Sequence, residues 1–297
     1  MNAVLSRGRG ALAAVAATLV VVAGVLLPAG AATAPGQVTV TDVLSYYKTY
    51  ALTSDASGNV YGVDKSTGAI FKLHAAPFSG VQLLATDPGE PIGITDRGST
   101  LYVSNYNGGI DTLSTSGGAL TTLVASASVP TGEAGGEQFA FDSSGNMFVA
   151  NYSNGVLGEV VSGTSTEVTS GLRVPTNCGP WGILITKNTL YISCWDSSRV
   201  IKAKLPLTQG ETPSFVATPP LGEPGDLVLD THGNIYLVNT TRNSLVKIPT
   251  NGSKASVVPT AGTMLYSPWG LTMTKGVLYT SLWTGPNLIA KITLSAH

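Results

Sequence analysis

The chain has 297 residues, of which only 11% are charged, and its formal net charge is −1. Glycine (35 residues) and proline (17 residues) are abundant, a composition that is typical of all-β folds with many turns and disfavours a helical fold. Because no basic excess is present, we expect neither a nucleic-acid surface nor a polybasic membrane patch.

The first 31 residues have the three regions of a secretory signal peptide. Arg7 and Arg9 are positively charged, residues 11–27 are apolar, and Ala31 ends a run of small residues suited to cleavage. An uncleaved anchor is the alternative, although the apolar stretch is short for a membrane span. We therefore expect cleavage near Ala31 and a secreted or extracytoplasmic (cell-envelope) protein. After cleavage we expect no stable membrane insertion and a single domain over residues 32–297.

An internal repeat organises the rest of the chain. A tyrosine or phenylalanine recurs about every 44 residues in the second of two short apolar runs. Its six copies are Tyr61, Tyr102, Phe148, Tyr191, Tyr236 and Tyr279. Each repeat has room for four short strands bounded by turn-forming residues and shows no helical periodicity. The spacing predicts an all-β fold, a six-bladed β-propeller with four-stranded antiparallel blades.

The repeats also predict how the ring closes. We place the blades at about 48–86, 90–125, 136–170, 179–218, 224–260 and 268–294. The last of these has no room for a fourth strand, whereas residues 37–44 form an alternating strand that belongs to no blade. Pairing this N-terminal strand with the last blade would close the ring and hide two strand edges that would otherwise invite aggregation.

Blades one, three and five share an Asp-x-x-Gly-Asn segment between their first two strands, at residues 55–59, 142–146 and 230–234. A calcium loop needs several converging oxygen ligands, and each segment supplies a single carboxylate. A turn explains the pattern better, because Asp caps the backbone and Gly and Asn accept a left-handed conformation. We interpret these segments as hairpin turns.

The two cysteines, Cys178 and Cys194, are close to one strand end. If Thr186 pairs with Thr189 across a two-residue turn, Trp181 faces Cys194, and Cys178 lies in the loop three residues before Trp181. Both sulfurs then reach the same end of the ring. Export favours oxidation, so we predict a disulfide. A metal pair and a redox dithiol are the alternatives.

Two kinds of segment resemble NHL-type repeats, whose consensus is Pro-x-Gly-Ile followed by Gly-Asn-hydrophobic-Tyr-Val. They are Pro180-Trp181-Gly182-Ile183 and Gly233-Asn234-Ile235-Tyr236-Leu237. The resemblance covers roughly residues 38 to 297 and extends to the wider group of gluconolactonase-like, virginiamycin B lyase-like and strictosidine synthase-like propellers. It implies a shared architecture, and an architecture alone does not transfer function.

The resemblance to gluconolactonase-like enzymes implies a divalent metal held by Glu, Asn and Asp near the axis, at the x of Pro-x-Gly-like motifs. These positions are Tyr50, Ile92, Glu137, Trp181, Gly225 and Trp269. Only Glu137 is a candidate ligand, with Asp226 one residue out of phase and Asn151 at a strand end. The three histidines do not match the His/Glu magnesium site of the lyases. We predict no cofactor, except calcium or magnesium under an enzyme alternative of lactonase- or lyase-like hydrolysis.

Aromatic residues concentrate at one predicted end of the ring. The candidate ligand-binding residues there are Tyr106, Tyr152, Trp181, Trp195, Trp269, Trp283 and Glu137. Packing between blades or over the mouth of the channel is the alternative explanation, because large aromatics are usually core or rim filler. We expect a monomeric binding or scaffold module that recognises a small molecule, glycan or protein, and leave catalysis open. A structural cell-envelope protein is the third hypothesis.

Overall fold

The computed structural model describes fourteen parts of the chain. They are residues 39–44, 47–75, 80–106, 108–125, 138–152, 155–161, 163–167, 172, 174–208, 210–217, 222–250, 254–260, 264–284 and 289–294. The predicted signal peptide and Glu137 lie outside the described residues. Within the described part, no helix is long and apolar enough to cross a membrane.

The strands form six antiparallel sheets, and within each blade they follow one another from the inside outward. Blade one contains β2 (Thr49–Ser54), β3 (Val60–Asp64), β4 (Ala69–Leu73) and β5 (Val81–Thr86). Blade two contains β6 (Pro91–Arg97), β7 (Thr100–Asn105), β8 (Ile110–Ser114) and β9 (Thr121–Val124). Blade three contains β10 (Gln138–Phe141), β11 (Met147–Asn151), β12 (Val156–Val161) and β13 (Thr164–Glu167).

The second half of the ring repeats this arrangement. Blade four contains β14 (Pro180–Thr186), β15 (Thr189–Cys194), β16 (Arg199–Lys204) and β17 (Ser214–Ala217). Blade five contains β18 (Pro224–Leu229), β19 (Asn234–Asn239), β20 (Ser244–Pro249) and β21 (Ser256–Val258). Blade six contains β22 (Pro268–Thr274), β23 (Val277–Leu282), β24 (Ile289–Thr293) and, as its outer strand, β1 (Thr39–Leu44).

The predicted closure of the ring is confirmed. The sheet of blade six has the order β1-β24-β23-β22, so the first strand of the chain completes the last blade. The two strands are antiparallel, with Thr39 opposite Thr293 and Val40 opposite Ile292. This pairing covers the outer edge of β24 and ties the two ends of the propeller chain together.

The core is divided among the contacts between blades. Six clusters of buried apolar residues are present in the described part of the chain, and each contains side chains from two neighbouring blades. The repeated second-strand aromatic belongs to these clusters; Tyr61, for example, is fully buried between blades one and two. The 44-residue repeat is therefore a packing repeat, because each blade buries its faces against its neighbours.

The hairpin of blade four confirms one expected pairing and corrects another. Thr186 pairs with Thr189 across the turn, as predicted. Cys194, however, lies opposite Pro180, because the register shifts between Pro180 and Ile183. The prediction that Trp181 faces Cys194 is wrong, since it assumed an unbroken ladder. Among the described residues, an irregularity of this kind occurs at the start of the inner strand in five blades.

The shift makes the glycine of the Pro-x-Gly motif necessary. A Cβ on Gly182 would lie 2.8 Å from the Gly225 carbonyl oxygen, and one on Gly270 would lie 2.8 Å from the Tyr50 carbonyl oxygen. At these two positions, neighbouring inner strands approach too closely for a side chain. The N–H of Gly182, which has no partner in the interrupted ladder, donates to Ser193 Oγ at 2.7 Å.

At the other end of the ring, the Asp-x-x-Gly-Asn segments are hairpin turns, as interpreted. In blade five, Asp230 Oδ1 accepts hydrogen bonds from the N–H groups of His232 and Asn234, at 2.8 and 2.7 Å. Asp230 Oδ2 accepts from Asn234 Nδ2 at 2.7 Å, and Gly233 has a φ of 82°. The carboxylate of Asp230 therefore stabilises the turn to which it belongs.

Candidate functional site

Two positions in each blade bring side chains to one end of the ring, which we call the mouth. The first position is the register shift of the inner strand, where Tyr50, Trp181 and Trp269 lie. The second is the residue that follows each second strand. Its six occupants are Lys65, Tyr106, Tyr152, Trp195, Thr240 and Trp283. Because the blades are arranged in a ring, side chains at these positions converge towards the axis.

Six aromatic rings at the mouth form a continuous group, which we call the aromatic cluster: Tyr50, Tyr152, Trp181, Trp195, Trp269 and Trp283. Trp269 stacks on Trp283 with centroids 4.7 Å apart, and Trp181 lies 4.6 Å from Trp195. An edge-to-face contact of 5.1 Å between Trp181 and Trp269 joins the two pairs. The cluster thus links blades one, three, four and six.

Packing and exposure differ within the aromatic cluster. Trp181 is buried, with 8% of its surface exposed, whereas Trp195, Trp269 and Trp283 are half-buried. Edge-to-face and stacked aromatic pairs each contribute about 0.5–1.5 kcal/mol beyond their buried area. The indole N–H of Trp269 is buried and has no hydrogen-bond partner among the described residues. The cluster is therefore both a packed element and a partly open surface.

The predicted disulfide between Cys178 and Cys194 is confirmed and lies beneath this surface. The sulfurs are 2.01 Å apart and both residues are buried. The bond joins the loop before β14 to the end of β15, and the Trp195 N–H donates to the Gly179 carbonyl at 2.9 Å. The covalent bond fixes the segments that carry Trp181 and Trp195. It also indicates folding in an oxidising, extracytoplasmic environment.

Charged side chains border the cluster on the side of blades six, one and two. Lys48 Nζ lies 3.7 Å from the centroid of Trp283, and Lys65 Nζ lies 3.1 Å from that of Tyr106. Lys65 also pairs with Glu90 at 3.6 Å. A cavity of about 300 Å³ opens between these groups and is lined by Lys48, Tyr50, Lys65, Ser66, Glu90 and Trp283. One wall is aromatic and the other is charged.

The candidate metal ligands at the axis are placed as follows. Asp226 is buried in β18, where Oδ2 accepts from Gln138 Nε2 at 2.9 Å and from the Leu271 N–H at 3.1 Å. Asn151 is fully buried at the end of β11, and Glu137 lies outside the described residues.

The described axial residues do not fit the metal centre that the resemblance implies. The described positions equivalent to its ligands hold aromatic rings, isoleucine and glycine, which offer no carboxylate or amide oxygen. Among the described residues, no group of three His, Cys, Asp or Glu side chains is arranged to hold a metal ion. A calcium or magnesium site at the axis stays a hypothesis of the enzyme alternative.

The sequence reasoning missed the charged border. Lys48, Lys65 and Glu90 were not among the candidate residues, although Lys65 follows β3 as Trp283 follows β23. A comparison of all six second-strand ends would have found it, whereas a search for aromatic residues does not. Tyr106 was predicted with the tryptophans; the structure places it beside Lys65, and that lysine also lies 5.9 Å from the Tyr50 centroid.

No protein-family model matches the chain, and no curated protein matches its sequence. Solved structures do match its fold. A gluconolactonase from Xanthomonas campestris aligns with a TM-score of 0.69 at 13% identity, covering 91% of this chain and 99% of that one. Virginiamycin B lyase from Staphylococcus aureus, in complex with quinupristin, aligns with a TM-score of 0.61 at 16% identity, covering 84% and 82%.

A chain of a nidogen–laminin complex is also similar, with a TM-score of 0.63 at 17% identity over 76% of this chain and 85% of that one. Enzymes and a protein complex thus share one architecture, and at these identities the similarity extends to the fold alone. The NHL-type resemblance is compatible with it. The chain is a six-bladed β-propeller similar to gluconolactonase-like and virginiamycin B lyase-like propellers.

Proposed function

We propose that this chain is an extracytoplasmic binding protein whose mouth holds a carbohydrate that carries an acidic group. The observation that supports this proposal is the cavity of about 300 Å³ between the aromatic cluster and the charged border. Binding sites for small molecules are typically concave, with apolar walls and a few convergent polar groups. The buried disulfide supports an extracytoplasmic location, together with the signal-like N-terminus.

The aromatic wall suits a saccharide. Tyr50 and Trp283 line the cavity and contact each other edge to face, with centroids 4.9 Å apart. Trp269 stacks on one face of Trp283, and the Lys48 ammonium lies 3.7 Å from the centroid of that ring. The C–H face of a sugar ring can lie on Trp283 when Lys48 moves to the acidic group of the ligand. Packing against Trp269 holds Trp283 in place, so little side-chain entropy would be lost when a ligand binds.

The opposite wall favours a negative charge on the ligand. Two ammonium groups, those of Lys48 and Lys65, face one carboxylate, that of Glu90. The ion pair of Lys65 with Glu90 spans 3.6 Å, and the Glu90 side chain is 57% exposed. Exposed pairs contribute little to stability, so a ligand carboxylate can replace Glu90 at small cost. Lys48 has no salt-bridge partner among the described residues.

The test is a fluorescence titration of the purified chain with oligogalacturonides and with neutral oligosaccharides of the same length. We expect the acidic sugars to change tryptophan emission, Trp283→Ala to weaken their binding at least tenfold, and Lys48→Ala to reduce the preference for acidic over neutral sugars. Phe215→Ala is the matched control, because Phe215 is an exposed ring beneath Arg199 on the outer strand of blade four. Equal loss of binding in both aromatic variants, or no response to either sugar class, contradicts the proposal.

A metal-dependent lactonase- or lyase-like enzyme is the second candidate, since Asp226 is a buried carboxylate on an inner strand. It predicts lactone hydrolysis that requires calcium or magnesium and is abolished by Asp226→Asn. Hydrolysis that survives Trp283→Ala but not Asp226→Asn would favour the enzyme. The absence of both hydrolysis and sugar binding would favour a structural role in the cell envelope.

A further inference from the structure

A second cavity, of about 400 Å³, lies away from the axis on blade two. Asp87 reaches it from the loop after β5, Asn105 from the end of β7, Asp111 from β8 and Thr122 from β9. The second, third and fourth strands of the blade therefore line it together with the loop that arrives from blade one. It is distinct from the mouth cavity, with which it shares no lining residue.

Two oxygen atoms in this cavity have no hydrogen-bond partner in the part of the chain that the structure describes. Asp87 is 2% exposed and Asn105 is 4% exposed, yet Asp87 Oδ2 and Asn105 Oδ1 accept nothing from any described residue. The other atoms of both groups are engaged: Asp87 Oδ1 accepts from the Gly89 N–H at 2.7 Å, and Asn105 Nδ2 donates to Asp111 Oδ2 at 2.7 Å. A buried unsatisfied oxygen is costly, so such atoms call for a ligand.

The equivalent asparagine of blade five differs from Asn105 in having a partner for its amide oxygen. Asn239 ends β19 as Asn105 ends β7, and a glycine, Gly222 or Gly89, packs tightly against each amide. Asn239 Oδ1, however, accepts a hydrogen bond from the Arg242 N–H at 3.2 Å. The blade-five turn satisfies its own asparagine, whereas the turn of blade two leaves the amide oxygen directed at the cavity.

The cavity also has uncompensated negative charge. Neither Asp87 nor Asp111 forms an ion pair with a lysine or arginine among the described residues. A bound cation would compensate the charge of both carboxylates.

We propose that this cavity is a calcium site in which Asp87, Asn105 and Asp111 supply carboxylate and amide oxygens. The donor set is made of hard oxygen ligands and contains no imidazole or thiolate, which favours calcium or magnesium over zinc or copper. Calcium is favoured over magnesium because it tolerates irregular geometry and six to eight ligands, and the volume leaves room for water. A bound ion would fasten the Asp87 loop of blade one to blade two.

The test is calorimetric titration of the purified chain, stripped with EDTA, with calcium chloride and with magnesium chloride. We expect one calcium site, weaker magnesium binding, and a calcium-dependent rise in the thermal midpoint. Asp87→Asn and Asp111→Asn should each lower the calcium affinity at least tenfold and remove that rise. Near-ultraviolet circular dichroism shows whether each variant folds. Because Asp111 is only half-buried, the calcium affinity of Asp111→Asn tests the proposal if Asp87→Asn does not fold.

Two controls locate the site. Asn105→Ala should weaken calcium binding while Asn239→Ala, at the same position of blade five, should not. Asp226→Asn tests the axis: calcium binding lost in this variant and retained in Asp87→Asn would overturn the proposal in favour of an axial ion. No calcium binding to the stripped wild-type chain would overturn it outright. Sugar binding at the mouth is measured separately, so either proposal can fail without the other.

Discussion

The two ends of the ring are built from the same repeats but treat their polar groups differently. At the turn end, where the first and second strands of each blade connect, Asp55, Asp142 and Asp230 accept hydrogen bonds from their own turns. At the end of the ring that forms the mouth, Trp269 Nε1 has no partner among the described residues. The same is true of Asn105 Oδ1, which lies at this end of the ring in the separate cavity of blade two. These three turn carboxylates are hydrogen-bonded within their own turns, whereas the mouth presents groups that a ligand can use.

This difference separates residues that specify the fold from residues available for function. A turn carboxylate whose two oxygens both accept hydrogen bonds has less capacity left for a ligand. An unsatisfied buried group costs stability, and such groups persist where they serve a function. From this contrast we expect substitutions at the turn end to change stability alone. At the mouth, we expect some substitutions to change stability and others to change ligand binding.

The largest expected effect on stability comes from the disulfide beneath the mouth. Replacing both Cys178 and Cys194 with serine opens a loop with a sequence separation of 16, which should cost about 3 kcal/mol in the chain-entropy estimate. Urea unfolding of the variant and of the wild-type chain, with and without reductant, measures it. Reductant should destabilise the wild-type chain and leave the variant unchanged. A variant as stable as the oxidised wild type would show that packing alone holds these loops.

Gly225→Ala tests the close approach of the inner strands. The new Cβ would lie 2.6 Å from the Trp269 carbonyl oxygen, so the strands of blades five and six must separate, at about 2 kcal/mol. Gly98→Asn is the control, because Gly98 has a φ of 72° and open space around it, and asparagine tolerates that conformation. Similar losses of unfolding free energy in both variants would refute the argument.

At the turn end, Asp230→Ala removes three hydrogen bonds from one turn and should cost about 1–2 kcal/mol of unfolding free energy. Burial opposes the charge of Asp230, but hydrogen bonds from Asn234 and His232 outweigh it and lower its pKa. Its contribution is therefore present above the unfolded pKa and lost as the pH falls through the folded value. Unfolding at pH 7 and pH 3 should show a smaller difference at pH 3, with sugar and calcium binding unchanged.

The sequence sufficed for the fold because each blade repeats the same local signals. Local patterns were enough to predict the aromatic of the second strand and the turn at residues 230–234. Simple edge pairing was enough to predict the place of the N-terminal strand. The predicted cross-strand neighbour of Cys194 was wrong because the register shift depends on how closely neighbouring blades approach. A Cβ on Gly225, for example, would lie 2.6 Å from the Trp269 carbonyl oxygen. The Pro-x-Gly motif recurs in the sequence, but the register shift that accompanies it becomes visible only in the fold.

The candidate sites were harder to predict for a related reason. Asp87, Asn105 and Asp111 belong to three segments whose convergence requires the fold, and none of them stands in a recognised motif. Asn105 ends β7, but the missing partner of its oxygen becomes visible only beside Asn239. Lys65 was missed because the search followed residue type, whereas the mouth is defined by position.

Asp96 differs from the three turn carboxylates, because it lies at the turn end but one of its carboxyl oxygens lacks a hydrogen-bond partner among the described residues. Its Oδ1 is buried without a hydrogen-bond partner among the described residues. Burial and the charge of Asp55 raise its pKa to about 6, against the Gly98 N–H. A carboxyl with a raised pKa stabilises the fold below its unfolded pKa, and this contribution is lost as the pH rises through about 6.

Asp96→Asn should therefore stabilise the chain at pH 7 by about 1 kcal/mol, less than the full shift implies because the side chain is partly exposed. The gain should vanish near pH 4, where the wild-type carboxyl is protonated in the fold. Urea unfolding across this range measures the difference, and its pH dependence is opposite to that of Asp230→Ala. A variant less stable than wild type at pH 7 would mean that Asp96 has a polar role at the turn end, and the division between the two ends would then fail at this residue.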